Sequence, residues 1–185
     1  MGHTARRTFL EEHNSRRASL AKGEVKINGE QLQSAANMHF MAYDCDLENK
    51  AIELTEACER TPSRIEFNET TINLVGIDSH DKNGGISAGR EAVSQWWNQS
   101  SQWQNPQKLT MEDKSAIPFF LIAQEEADTV GCSVRSCKKD GVSFYSVACV
   151  YGKGVEAGGK LYEQGQTCSC DDGYKCYKSA LCKKQ

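Results

Sequence analysis

Four cysteines close the chain, Cys168, Cys170, Cys176 and Cys182, in the pattern C-x-C-x5-C-x5-C. Thiols at such spacing either hold a metal or pair as disulfides. Zinc ribbons use paired C-x2-C knuckles, which this run lacks, so disulfides are the better reading. Five more cysteines stand at Cys45, Cys58, Cys132, Cys137 and Cys149. Nine in 185 residues is high for a cytosolic chain and points to an oxidising, extracellular setting. The odd count leaves one thiol over. Asn68-Glu69-Thr70 and Asn98-Gln99-Ser100 are glycosylation sequons and agree with that setting.

Other chemistry is sparse. His3, His13, His39 and His80 are scattered, and His13 falls on the face of the first helix that reads as buried. Ser63, Ser87 and Ser133 have no histidine partner in a nucleophile motif. Gly84-Gly85 lacks the preceding strand and following lysine of a phosphate loop. The expectation is no catalysis, no metal and no cofactor. With 22 basic and 25 acidic residues the net charge is −3, both signs are dispersed, and nothing forms a nucleic-acid stripe. The longest apolar run, Ala116 to Ala123, is too short to span a bilayer and reads as a strand, so no membrane insertion is expected. Met1-Gly2-His3-Thr4 leads straight into Arg6-Arg7 without a secretory signal, as in a mature or recombinant form.

The elements that must position these residues follow from periodicity. A helix is predicted over about Arg6 to Ala21, with Gly23 as its stop and an irregular stretch from Gly23 to Ala36. A second runs from an N-cap at Asp44 to about Glu59, with Leu47, Ala51, Leu54 and Cys58 on one stripe and Pro62 beyond it. Asp78 to Gly89 reads as the least ordered stretch, after which Ser87 or a neighbour caps a helix bearing Val93, Trp96 and Trp97. Core packing is expected of most tryptophans, Trp103 included. Ile117 to Gln124, Thr129 to Arg135 and Val142 to Tyr151 read as strands, the last two joined by a turn at Lys138-Lys139-Asp140-Gly141. Four glycines between Gly152 and Gly159 mark a linker to the cysteine-rich tail. Helices packed on an antiparallel sheet are the expected architecture, an α+β fold.

Several segments in this order resemble the CAP superfamily of cysteine-rich secretory proteins: Phe9-Leu10-Glu11-Glu12-His13-Asn14, Met41-Ala42-Tyr43-Asp44-Cys45-Asp46-Leu47-Glu48, Ala92-Val93-Ser94-Gln95-Trp96-Trp97, Gly131-Cys132 and Cys149-Val150-Tyr151. The Met41 run, and Leu161-Tyr162-Glu163-Gln164-Gly165 ahead of the tail, look most like single-domain secreted proteins of parasitic nematodes. The resemblance implies a three-layer α-β-α sandwich with a short disulfide-rich C-terminal hinge, a CAP domain over 1–151 and a linker and hinge over 152–185. It also implies the pairs Cys58–Cys137, Cys132–Cys149, Cys168–Cys176 and Cys170–Cys182. Cys45 is then left over, either because a partner ahead of the first helix is trimmed or absent, or as a buried free thiol.

Many family members carry two histidines and two glutamates in a central cleft, a set suited to zinc. The positions that match here are Pro62, Ile72, Gln99 and Pro118, so the resemblance implies a degenerate cleft. Proline offers no side-chain donor or acceptor. A chain without such a centre is expected to work by surface contact. Lys22-Gly23-Glu24 stands out, because a long cation and a carboxylate flanking glycine resemble the Arg-Gly-Asp tripeptide that integrins read. Its lysine lacks the bidentate fork of arginine, and a Lys-Gly helix stop is common in its own right. Related nematode proteins include antagonists of platelet and leukocyte integrins. The resemblance therefore implies a secreted, non-enzymatic protein that binds a host cell-surface receptor, with lipid or sterol carriage, in an apolar site around Phe119 and Phe120, as the alternative.

Overall fold

The computed structural model describes residues 1–78 and 84–185. Its centre is a four-stranded sheet in the order β3 (Ala42–Tyr43), β5 (Thr129–Lys139), β6 (Val142–Tyr151) and β4 (Ile72–Asp78). β5–β6 and β6–β4 are antiparallel, and the short β3 runs parallel to β5. Asp140 (φ 52°) and Gly141 (φ 81°) form the two-residue turn between β5 and β6, which suits the right-handed twist of a hairpin. The α2 helix (Cys45–Glu56) covers one face of the sheet. On the other lie α1 (His3–Ala21), α3 (Gly84–Asn98) and α4 (Ile117–Ala123). The architecture is the α-β-α sandwich, with the larger core on the three-helix side and a smaller cluster of Ala51, Leu74, Ala148 and Val150 under α2.

Local chemistry sets the helix ends. Asp44 caps α2, its Oδ1 accepting from the backbone N–H groups of Asp46 at 2.8 Å and Leu47 at 2.9 Å. The helix stops at Glu56 rather than Glu59, because Cys58 adopts a left-handed conformation (φ 51°) and bonds Cys137 on β5. That bridge closes 79 residues of sequence, a constraint on the unfolded chain of about 4 kcal/mol. Gly131 is where α2 presses hardest on the sheet: a Cβ there would lie 2.1 Å from the backbone nitrogen of Glu48. The α3 helix begins at Gly84, so Ser87 sits inside it rather than capping it.

The expected strand over Ile117 to Gln124 is instead α4. Pro118 sits in its first turn, where a missing N–H costs nothing. Ile117, Phe119, Phe120, Leu121, Ile122 and Ala123 are all buried, so the segment is apolar on every side and carries no helical stripe. The stretch expected to be irregular holds a small hairpin, β1 (Lys26–Ile27) and β2 (Glu30–Gln31), turned by Asn28 (φ 52°) and Gly29 (φ 85°).

Three further disulfides join Cys132 to Cys149 across β5–β6, Cys168 to Cys176, and Cys170 to Cys182. The tail folds as the hairpin β7 (Tyr174–Tyr177) and β8 (Leu181–Lys184) and lies against the body. The Cys182 N–H donates to the Met38 carbonyl at 2.7 Å, and the Phe40 N–H to the Cys182 carbonyl at 2.8 Å. Val155, Leu161, Tyr162, Ala180 and Leu181 join the main core.

Arg17 links these layers. Its guanidinium is fully buried and donates to the carbonyls of His39, Ile122, Gln124 and Glu125 through five hydrogen bonds of 2.7–3.0 Å. Every donor of the fork is used. Burial pulls its pKa down to about 9, which leaves it charged at neutral pH.

Candidate functional site

Lys22, Gly23 and Glu24 sit together at the C-terminal end of α1. Gly23 has φ 70°, its N–H donates to the Leu20 carbonyl at 2.9 Å, and the Glu24 N–H reaches back to the Ser19 carbonyl at 3.0 Å. This is a Schellman termination, and glycine is there because the left-handed region penalises a Cβ. A Cβ at Gly23 would also stand 3.1 Å from the Ser34 nitrogen. The turn is held from outside as well. Gln31 Nε2 donates to the Gly23 carbonyl, and at 3.2 Å to that of Val25. The Ala21 carbonyl accepts from the Ala35 N–H at 3.0 Å and from Thr167 Oγ1, in the tail, at 2.8 Å. On this braced turn the Lys22 and Glu24 side chains are exposed, and neither has an acid or base partner within 4 Å among the described residues.

The four family cleft positions do not all converge. Pro62, Gln99 and Pro118 line one cavity of about 460 Å³, together with Asn73, Trp96 and Lys114. Ile72 does not: it packs against the α2 side of the sheet, beside Leu74 and Val150. Alternation along β4 puts neighbours on opposite faces, so Asn73 is the residue that turns to the cavity. Pyrrolidine rings, a primary amide and an aliphatic chain offer none of the imidazole or carboxylate donors that a zinc ion takes, and the residues here do not fit one.

Beneath that cavity the polar groups satisfy one another. Asn73 Nδ2 donates to the Pro118 carbonyl at 3.0 Å and to the Tyr151 hydroxyl at 3.1 Å. That hydroxyl lies 3.0 Å from His13 Nε2, and His13 Nδ1 lies 2.7 Å from the Phe9 carbonyl. One tautomer completes the chain: Nδ1–H donates to Phe9, and Nε2 accepts from Tyr151. Burial holds the imidazole neutral, with its pKa lowered to about 4, and pushes the Tyr151 phenol up. His13 also approaches Cys132 and Cys149, the one trio of potential metal ligands among the described residues. Those sulfurs are bonded to each other, and both imidazole nitrogens are engaged.

Cys45 is free and exposed at the start of α2, not buried. Glu48, one turn on, is buried and accepts from Arg6 Nε and Nη2, the N-terminal amine and the Tyr43 hydroxyl at 2.6–2.8 Å. The Arg6 bonds above all hold its carboxyl near pKa 2. Trp96 and Trp103 are buried, and Trp97 packs edge-on against Phe119 at 4.9 Å. Phe119 and Phe120 are fully buried and packed by Trp97, Trp103 and Phe67. Of the Asp78 to Gly89 stretch, expected to be the least ordered, Asp78 ends β4 and 84–89 form the first turns of α3, while 79–83, His80 among them, fall outside the described residues. Asn68 and Asn98, the sequon asparagines, are both exposed. Sequence reasoning missed β4, and with it Asn73, as well as the role of Tyr151; an asparagine within the apolar run Ile72 to Ile77 was the available signal for the first.

With the geometry in place, comparison with known proteins identifies the scaffold. The chain is 30% identical over 189 residues to Ancylostoma secreted protein from Ancylostoma caninum, covering 95% of this chain but only 43% of that protein. It is 27% identical over 169 residues to hookworm platelet inhibitor 1 from the same species, covering 90% of this chain and 73% of that one. The crystal structure of NaASP2 with Zn2+ superposes with a TM-score of 0.79 at 28% identity, over 98% of this chain and 96% of that one. No helix among the described residues is long and apolar enough to cross a membrane. The CAP family model, cysteine-rich secretory protein family, matches residues 10–151, and the chain belongs to that family.

Proposed function

We propose that this chain is a secreted, non-enzymatic effector that binds a host cell-surface receptor, an integrin of platelets or leukocytes, and blocks its adhesive function. The observation that carries this reading is the braced turn at Lys22-Gly23-Glu24. It presents a cation and a carboxylate, both exposed and without a charged partner among the described residues, on a loop that six hydrogen bonds hold in place. In such a contact Glu24 supplies a hard oxygen to a receptor-bound divalent cation and Lys22 meets an acidic group beside it. Four disulfides suit an extracellular site of action. Hookworm platelet inhibitor 1, by its name, acts on platelets, and its likeness to this chain supports the target class.

The test is binding to a panel of purified integrin ectodomains, with and without EDTA, beside the Lys22→Ala/Glu24→Ala variant. Cation-dependent binding that the variant loses is the expected result. Binding that survives both controls moves the contact elsewhere. A second reading, carriage of an apolar small molecule, is favoured by a groove of about 890 Å³ beside α2, floored by Leu47, Leu54, Ile72, Leu74 and Val150. It predicts a stoichiometric apolar ligand by native mass spectrometry after exposure to a lipid extract.

A further inference from the structure

A second groove runs between α1 and the tail hairpin, about 540 Å³ in volume, and its wall includes Lys22. Its floor is apolar: Leu10 and Ala18 from α1, Phe40 from the segment before β3, and Tyr177 and Leu181 from the hairpin. Phe40 and Tyr177 are only half-buried and meet edge to face at 5.1 Å. The Lys183 ammonium lies 5.2 Å from both rings, and that of Lys178 lies 5.4 Å from Tyr177.

The walls are basic. Arg7 and Lys22 stand at opposite ends of the α1 side and Lys178 on the hairpin side, while Glu11, 3.7 Å from Arg7, is the one acidic lining residue. Lys22, Lys178 and Lys183 have no acidic partner within 4 Å among the described residues. On a chain of net charge −3, a run of cations unpaired among the described residues, set around half-buried rings, is a local reversal of sign. It draws in carboxylates and repels basic partners.

We infer that this groove docks an extended segment of a partner protein, apolar at its middle and acidic at both ends. The inference rests on the receptor-binding reading and supplies it with a second contact, next to the Lys22 turn. Arg7 and Lys22 are separated by about 22 Å along the helix, the reach of about seven extended residues. The aromatic pair takes an apolar side chain midway, and the end cations meet the acidic groups.

The probe is a fluorescein-labelled peptide, Asp-Glu-Leu-Phe-Leu-Glu-Asp, titrated by anisotropy against the full chain. A counterpart with lysine for every acid, and phosphatidylserine-containing vesicles, serve as comparators. Arg7→Glu/Lys178→Glu reverses two exposed charges away from Lys22, Lys183→Glu is a milder second variant, and Lys50→Glu on the α2 side is the control. Circular dichroism establishes that each is folded. The expected result is acidic-peptide binding that weakens with salt, falls about tenfold or more in the double variant, and is untouched by Lys50→Glu or Glu24→Ala. Equal binding by the double variant overturns the inference, as does binding to vesicles alone. On the integrin panel, a receptor bound equally by wild type and Arg7→Glu/Lys178→Glu discards the groove and leaves the receptor reading. Peptide binding with no integrin bound discards that receptor class and keeps the groove.

Discussion

The family cleft and the end of α1 are built from similar materials and used in opposite ways. At the cleft, Asn73, Tyr151 and His13 pass hydrogen bonds from one to the next until each buried polar atom on that path has a partner. At the end of α1 the backbone is equally well satisfied, yet the charged side chains are exposed and meet no opposite charge among the described residues. A network closed on itself has its energy in the fold. A braced turn bearing unpaired charge holds that energy in reserve for a second molecule. The two regions should separate cleanly: changes in the first cost stability, and changes in the second cost binding.

The largest effect is expected at Arg17, which belongs to the closed region. Arg17→Met keeps much of the volume but removes all five bonds and strands the His39 and Ile122 carbonyls, while those of Gln124 and Glu125 keep the N–H groups of Ala127 and His39. At about 2 kcal/mol for each of the two stranded carbonyls, the middle of the range for a buried unsatisfied group, the loss is about 4 kcal/mol. Urea unfolding followed by tryptophan fluorescence measures it. A loss below about 1 kcal/mol would mean that water replaces the guanidinium and that the region is not closed.

His13 gives the next effect, and it depends on pH. The unfolded imidazole takes up a proton near pH 6.5 and the folded one only near 4. Stability from the neutral ring is full above pH 6.5, drains as the pH falls through that window, and changes no further below 4. The shift sets the loss at about 3 kcal/mol. Glu48 adds a separate loss at lower pH, because its folded carboxyl stays ionised down to about 2. His13→Gln should remove the upper window and keep the lower one. A wild-type stability flat from pH 7 to 4 would show that His13 is not held neutral.

How far each region could be read from sequence follows from the range of its interactions. The α1 stop at Gly23 and the α2 cap at Asp44 are local events, written in one or two residues, and both were legible. The Ile117–Ala123 helix was not, because a segment buried all round shows no period that separates helix from strand. Ile72 was matched to the cleft by motif position, whereas the pleat of β4 delivers Asn73 there. The groove beside α1 lay further out of reach. Leu10, Phe40 and Tyr177 are brought together only by the docked tail, whose register depends on pairing with residues 38–40.

Gly23→Ala sharpens the comparison at its boundary, since this residue is structural in its backbone and belongs to the contact by position. A Cβ at φ 70° costs about 1 kcal/mol, and its approach to the Ser34 nitrogen adds to that. Receptor binding should fall further than stability does, because relaxing the turn re-aims both neighbouring side chains. Parallel thermal melts and binding titrations read the two losses side by side; equal losses would make the turn a fold element alone.

The smallest expected change in stability is the most informative. Lys22→Ala/Glu24→Ala removes two exposed side chains that have no charged partner among the described residues, and leaves Gly23, the Schellman bonds and the Gln31 clasp intact. Its unfolding free energy should stay within about 0.5 kcal/mol of wild type, as for surface substitutions generally. Receptor binding should be lost in the same sample. A destabilisation above about 1 kcal/mol would place these charges in the fold after all and erase the distinction between the two regions. Unchanged stability with full binding would keep the distinction and assign the contact to the neighbouring groove, whose cations at Arg7 and Lys178 the variant leaves in place.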